Sequence, residues 1–467
     1  MEKVDELFGA EIVEQLPETG GGVFGAARLS QIVTEKKLEK KFMKVQIQKK
    51  LLLNALEKMY TVSTKALLPD FNLSGRVTIE VKKSKVIFTS SNGFIHVNCE
   101  ITDTDDPGIT NNTPGIVTTD SVKLRDSVKL IKTEDASTPI ELTDDGQALV
   151  IKDTSAKRTK LVKLPRENQH HKTSIIAKPD GDSLFFETDH FISGVKTVLP
   201  FQSKAGYKLE YQVVCFHWVG KDIRLICGDG AVFAVFTASR HSKDANKREL
   251  KRTMPCNQLA VLADLVSECS EIEMVWKDKS SMWVKTNTGM EVLVRGLPDV
   301  DYIAYDTNAF RFDEATALTD VKVEDLKEAA GLLGVLRDEE KEEQGKPHTF
   351  HWVSPSADGF MKLEIKQDQG KFSCEYEIPA TYYNLNNKPI FKSLYAQWFF
   401  DSFTHAAKNP YLRFYFIEEV GVVNVRDVDL GSNDDNGIPL IKENVSGTSL
   451  SFFFAAIREE NNEPEED

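Results

Sequence analysis

Two clusters of carboxylates are the first residues in this chain that could do chemistry. Asp103, Asp105 and Asp106 lie in TDTDDPG, and Asp144 and Asp145 lie in TDDG. Carboxylates at such spacing could hold Mg²⁺ for phosphoryl transfer, because a hard cation prefers oxygen ligands. Both clusters sit between elements, beside Pro, Gly and Thr, so solvated loop acids are the plainer reading. His348 and His351 are spaced for a zinc site in HTFHWV, but the run reads as a strand and brings no Cys or acidic partner. His170-His171 lies in a polar linker. No GxxxxGK[ST], no GxSxG and no HExxH occurs. The expectation is a protein that is not an enzyme and needs no metal or cofactor.

Bulk composition narrows the class. The chain has 467 residues, 41% hydrophobic and 28% charged, which predicts a globular protein of two to four domains. A formal net charge of −14 disfavours a simple nucleic-acid-coating protein but says nothing about a local basic surface. Six cysteines, none in a CxxC pair, read as buried free thiols in a reducing compartment. No apolar run approaches the ~20 residues that span a bilayer. The start, MEKVDELFGAEIVEQ, lacks the basic region and apolar core of a signal peptide. Residues 16–20, LPETG, match the pentapeptide cut by sortases. A sorting signal needs that motif near the C-terminus with an apolar stretch and a basic tail behind it, so here it reads as a chance match in a Gly-rich turn. A cytoplasmic protein with no membrane association is expected.

The elements repeat. Residues 1–42 read as an extension. From Met43 a helix over 48–64, strands over 75–101, a helix over 119–131 and strands over 147–165 form one unit. The order returns as helix 189–201, strands 211–238, helix 256–269 and strands 272–298. Both units end in Leu-Pro, 133 residues apart, at Leu164-Pro165 and Leu297-Pro298. A third round runs helix 322–336, strands 360–380, helix 391–407 and strands 411–430 and 449–457. Periods this long are domain repeats, not solenoid repeats. The polar stretch 431–448 reads as an insertion at a hairpin tip. Six acids among 459–467 predict a disordered tail.

Several short motifs follow this layout. MKVQIQKKLLLNALEKM (43–59) opens the first unit, RLICGDGAVFAVF (224–236) lies in the strands of the second, VRGLPD (294–299) ends the second and FFFAAIR (452–458) ends the third. Here the chain resembles the bacterial DNA polymerase III sliding clamp, the β clamp family. Met43 falls at the family's usual first residue. The other three segments fall on its TDGHRLA turn, its Phe-Pro-Asp strand end and its terminal Met-Pro-Met-Arg-Leu strand. The resemblance covers residues 43 to about 458 at low identity, which suits a divergent member such as one encoded by a phage. It implies an α+β DNA-clamp fold, with domains at 43–168, 169–310 and 311–458, each of two helices on antiparallel sheets. It also implies a ring-forming head-to-tail homodimer that serves as a DNA polymerase processivity factor.

Site residues follow from the resemblance. On the second helix of the first domain, Arg125, Lys129 and Lys132 recur beside an apolar stripe of Leu124, Val128 and Ile131. Such a stripe would let cations face encircled double-stranded DNA without reading bases. An ordinary solvated face is the alternative. Lys58, Lys65, Lys123, Lys196, Lys204 and Lys208 extend the pattern. Polymerase and clamp-loader peptides would enter an apolar pocket of Tyr211, Gly228, Gly230, Ala231, Val232, Phe233, Pro298, Phe453, Ala455, Ile457 and Arg458. Phe233, Phe453 and Ile457 read equally as buried core. The family's His-Arg is Ala231-Val232 here, and PDVDYIAYD carries extra residues after Pro298. The dimer interface would use Leu161 with Val335 and Leu336, which read equally as core. A clamp-like scaffold that docks replication or repair proteins without sliding is the competing reading.

Overall fold

The computed structural model describes residues 42–455 except 66–72, 103–108, 132–136, 154–160, 173–175, 182, 204–207, 231, 245–248, 279–280, 297–299, 301, 303–304, 306–309, 335–349, 356–358, 368–371, 386–392, 418–421 and 443–447. Residues 1–41 of the expected extension, with LPETG in them, the acidic tail, the 103–106 acids and His348 lie outside the described residues.

The first repeat runs β1 (Lys44–Gln48), α1 (Lys49–Thr64), β2 (Arg76–Val81), β3 (Lys85–Ser91), β4 (Ile95–Thr102), β5 (Ile109–Thr113), β6 (Gly115–Asp120), α2 (Ser121–Leu130), β7 (Pro139–Asp144), β8 (Ala148–Asp153) and β9 (Leu161–Pro165). The second runs β10 (Leu184–Glu187), α3 (Thr188–Val198), β11 (Val213–Val219), β12 (Asp222–Gly228), β13 (Val232–Ser239), β14 (Leu250–Pro255), α4 (Cys256–Leu265), β15 (Glu271–Trp276), β16 (Ser281–Thr286) and β17 (Glu291–Arg295). The third runs β18 (Ala317–Lys322), α5 (Val323–Gly334), β19 (Phe350–Pro355), β20 (Phe360–Gln367), β21 (Phe372–Asn384), β22 (Ser393–Ala396), α6 (Gln397–Ala406), β23 (Tyr411–Ile417), β24 (Val422–Val428), β25 (Leu430–Asn433), β26 (Pro439–Ile441) and β27 (Thr448–Ala455).

Each half-repeat is a strand, a helix and a run of strands, and the leading strand is the part that sequence patterning missed. These leading strands run straight into their helices. At α2 the joint is capped by Asp120, whose carboxylate accepts from the Lys123 amide at 2.9 Å. Within a repeat the two halves exchange leading strands. β1 joins β7–β8–β9, and β6 joins β2–β3–β4; the second and third repeats do the same with β10 and β14, and with β18 and β22. The exchange ties both halves into one core. α1 buries Leu52, Leu56, Met59 and Val62 on that core, residues at helical spacing along one face. α3 lies so close to β13 that a Cβ at Gly194 would stand 2.6 Å from the Phe236 ring.

Sheets also continue from one repeat to the next. β17 of the second repeat pairs antiparallel with β4 of the first, from Glu291↔Asn98 to Val294↔Ile95. β27 of the third pairs with β13 of the second, from Val232↔Phe454 to Ala238↔Thr448. Both junctions set the last strand of one repeat against the third strand after the leading helix in the preceding repeat. A helix pair accompanies the first junction, where α1 packs on α4.

The expected loop at 431–448 contains a small hairpin, β25–β26. It is held by a buried fork. Arg413 donates to both oxygens of Asp320 at 2.7 and 2.8 Å, and to the Pro439 carbonyl at 2.8 Å. Removing one partner of a buried pair strands the other charge. Asp320→Ala is therefore expected to cost about 3–5 kcal/mol in urea unfolding, well above an exposed substitution.

Two buried histidines sit at the first junction. His96 on β4 faces β17, and its pKa is lowered from 6.5 to about 4 by burial, then by Arg295 and His171. His171 is lowered to about 4 by burial, although its Nε2 bonds the Arg76 carbonyl. The unfolded chain binds these protons below about pH 6.5 and the native chain does not. Stability is thus full above that pH and falls as pH drops toward 4. Each histidine should remove about 2 kcal/mol between pH 7 and pH 5, and His96→Gln should halve that dependence in denaturant titrations.

Candidate nucleic-acid interface and partner cleft

The expected DNA-facing cations separate into paired and unpaired groups. Lys58 on α1 bonds Glu268 at 2.8 Å, and Lys65, just past the helix, bonds Asp264 at 2.6 Å. Both acids belong to the second repeat, so these lysines bridge the first junction. On α2, Lys129 meets Glu57 at 2.5 Å. Arg125 bonds Asp126 at 2.7 Å, lies 3.7 Å from Glu57, and stacks 3.3 Å above the Tyr60 ring. Exposed pairs of this type are worth roughly 0–1 kcal/mol each, so their main effect is to neutralise the cations. Lys123 and Lys196 stand exposed. Lys208 lies 5.3 Å over the Tyr211 ring. Lys132 and Lys204 fall outside the described residues.

Several residues expected to line a peptide pocket come together, with Phe233 and Phe453 buried. Gly230, at φ +100°, lies against Tyr211, where a Cβ would come within 2.5 Å of the ring. Gly228 is equally tight against Phe233. Phe233 and Phe453 are register partners across β13–β27, stacked at 4.9 Å with 7° between planes. Val232 does not join them. Strand alternation turns it to the helix-side core, while Phe233 packs in a separate cluster on the other face with Cys215, Ile226 and Val235. The Ala455 backbone pairs with Val422 at the end of β27. Ala231, Pro298, Ile457 and Arg458 lie outside the described residues, as do Val335 and Leu336. Leu161, on the outermost strand β9, is half exposed rather than core.

A feature absent from the sequence reading adds to this cluster. Tyr305, only 2% exposed, belongs to the same buried cluster as Phe233 and Phe453, with Tyr302 and Phe310 packed against that cluster. Its hydroxyl bonds His217 Nδ1 at 2.5 Å, and His217 Nε2 bonds Glu249 at 2.6 Å. That second bond holds the Glu249 carboxyl below its usual range. Arg224 stacks 4.3 Å over Phe310, a non-glycine residue at φ 67°. Phe312 lies edge-on to Tyr415 at 4.8 Å under Arg426. The aromatic density of 302–312 was the available signal.

The Asp144–Asp145 pair has another task. Asp144 takes Arg166 at 3.0 Å and the Gly146 amide, and Asp145 accepts the Gln147 and Ala148 amides and Lys163. These carboxylates shape a turn. Among the described residues no group of three His, Cys, Asp or Glu could hold a metal ion. No helix there is long and apolar enough to cross a membrane.

Packing and hydrogen bonding at Tyr305 can be separated. Tyr305→Phe keeps the ring and should cost about 0.5–1.5 kcal/mol for the lost His217 bond. Tyr305→Ala should cost about 3–5 kcal/mol, since a buried ring of the cluster is removed. Denaturant midpoints of the two variants check the ratio.

No protein-family model and no curated protein matches this sequence. Solved structures do. The DNA polymerase sliding clamp of Bacillus subtilis superposes with a TM-score of 0.70 at 14% identity, over 89% of this chain and 99% of that one. The DNA polymerase III β subunit of Pseudomonas aeruginosa gives 0.69 at 15%, over 89% and 100%. The β subunit from the DNA polymerase of Streptococcus pyogenes gives 0.69 at 12%, again over 89% and 100%. With three strand-exchanged repeats joined edge to edge, the chain has the fold of the bacterial DNA polymerase sliding clamps.

Proposed function

We propose that this protein is a DNA polymerase processivity factor, a homodimeric ring that encircles duplex DNA in the cytoplasm and docks polymerase and clamp-loader peptides. One observation carries the reading. Both internal junctions pair a last strand with the third strand after a leading helix. The rule leaves two edges over. β9 is the last strand of the first repeat and, among the described residues, has β8 as its one strand partner. In β21, residues 372–379 pair with β20, and their other edge has no partner among the described residues. A bare edge is a template for another strand. β9 of one copy and β21 of a second copy complete the pattern, and a repeated head-to-tail contact closes a ring when its rotation allows.

Exposed leucines support the same contact. At the first junction the leading helix α1 meets the second helix α4. The equivalent contact between copies would bring α5 to α2. Leu332 on α5 is 52% exposed and Leu130 at the end of α2 is 80% exposed. Leu161 on β9 would lie beside them.

The competing scaffold reading draws on the aromatic cluster of Phe233, Phe453 and Tyr305. Docking without sliding and docking on a sliding ring differ in topology. Once loaded by its cognate loader, the protein should stay on nicked circular DNA and run off after linearisation. Leu161→Arg should abolish retention without lowering the thermal midpoint of the monomer. Retention that is equal on circular and linear DNA would reject the ring.

A further inference from the structure

Two thiols face each other at the seam between a strand end and a helix start. Cys227 is the next-to-last residue of β12, and Cys256 is the first residue of α4. Their sulfurs lie 3.7 Å apart, although the residues are 29 positions apart in the chain. Both belong to the helix-side core, at 0% and 2% exposure. Cys215, on the neighbouring strand β11, packs on the opposite face of the same sheet. Cys99 lies on β4 of the first repeat, and Cys269 bonds the Thr288 hydroxyl at 3.6 Å. A single buried cysteine is a small hydrophobe. Two sulfurs in contact at the ends of two different elements are a dithiol.

The seam is tied on both sides to the contact between Tyr211 and Gly230. Cys227 leads directly into Gly228, Asp229 and Gly230, and Gly230 lies against the Tyr211 ring. On the other side, the Cys256 amide donates to the Gln212 carbonyl at 2.9 Å, one residue past Tyr211. A bond between the sulfurs would draw them from 3.7 Å to about 2.05 Å. That shift reaches Gly230 along one chain segment and Tyr211 along the other. The Cys227 thiol is pushed well above its ordinary range by its bond to Cys256 and by burial. It keeps its proton, which leaves Cys256 as the attacking sulfur.

We propose that Cys227 and Cys256 are a modification site, a dithiol that a hydroperoxide oxidises to a disulfide and that thereby resets the Tyr211–Gly230 contact. The Cys256 sulfur attacks one peroxide oxygen, the O–O bond breaks, and the departing oxygen leaves as water with the thiol proton. The sulfenic acid formed on Cys256 is then attacked by the Cys227 sulfur. The S–S bond forms, the S–O bond breaks, and the hydroxide leaves as a second water with the Cys227 proton. Two thiols lose two electrons and two protons, and one hydrogen peroxide becomes two waters. Burial restricts the oxidant to one of nearly the size of water, which enters when the first turn of α4 opens locally. In a reducing compartment the free thiols are the resting state and the disulfide is transient. The disulfide itself needs no reading of function. Its effect on docked peptides rests on the clamp reading.

The test treats the full chain with hydrogen peroxide, quenches it with catalase, alkylates in urea and maps the peptides by mass spectrometry without reduction. The parent should lose two of its six alkylatable thiols and yield one linked peptide pair joining Cys227 to Cys256, reversed by dithiothreitol. Cys256→Ala and, as a second variant, Cys227→Ser should each abolish the link, and Cys99→Ala/Cys269→Ala should keep it. Glutathione disulfide, a bulkier oxidant, should form the link more slowly than peroxide. Hydrogen exchange at 209–212 and 228–230 should differ between reduced and oxidised parent, and should not respond to peroxide in Cys256→Ala. Six free thiols after treatment, a link between other cysteines, or sulfinic acid at Cys227 or Cys256 without a link would overturn the dithiol. A link that leaves exchange at both segments unchanged would overturn its hold on the Tyr211–Gly230 contact. Retention on nicked circles separates this site from the clamp reading. Reduced protein that is never retained, yet forms the link and changes its exchange, would reject the clamp and keep the dithiol.

Discussion

Edge-to-edge strand pairing between repeats is the interaction on which the rest of this structure depends. An open antiparallel sheet leaves a row of unsatisfied amides and carbonyls, and natural proteins cover, charge or pair such edges. Here the edges are paired. β17 on β4 and β27 on β13 turn separate repeats into continuous sheets of eight and twelve strands. The helices then have a fixed place, because each leading helix is anchored through the strand before it and packs on the sheet behind it. Strand exchange within a repeat and strand pairing between repeats are one device used at two scales.

That device also sets the electrostatics. Pairing β17 with β4 brings α4 against α1 and allows Lys58 and Lys65 to reach acids 210 and 199 residues away. Such partners are invisible to helical spacing. A net charge of −14 is compatible with a local basic surface, and among the described residues Lys123 and Lys196 stand exposed.

Much of the fold was legible in the sequence. Periodicity marked α1 and α2 within two residues of their observed ends, and three rounds of helix and strands were readable without side-chain contacts. The leading strands were not, because four to six residues flowing into a helix carry too little alternation to stand out. The hairpin β25–β26 was hidden in a polar stretch because the Arg413 fork, not an apolar pattern, holds it. Phe233 and Phe453, singled out by their motifs, meet as a buried stacked pair. Strict alternation was enough to place Val232 on the opposite face. Tyr305 was missed because its role depends on His217, 88 residues earlier on another strand.

The central claim is that two leftover edges, β9 and β21, complete each other between two copies. Electron microscopy of the purified full-length protein tests it most directly. Class averages should show closed rings of six similar lobes around an open centre, with a mass of two 52.5 kDa chains. Isolated three-lobed particles at micromolar concentration, with no closed rings, would contradict it.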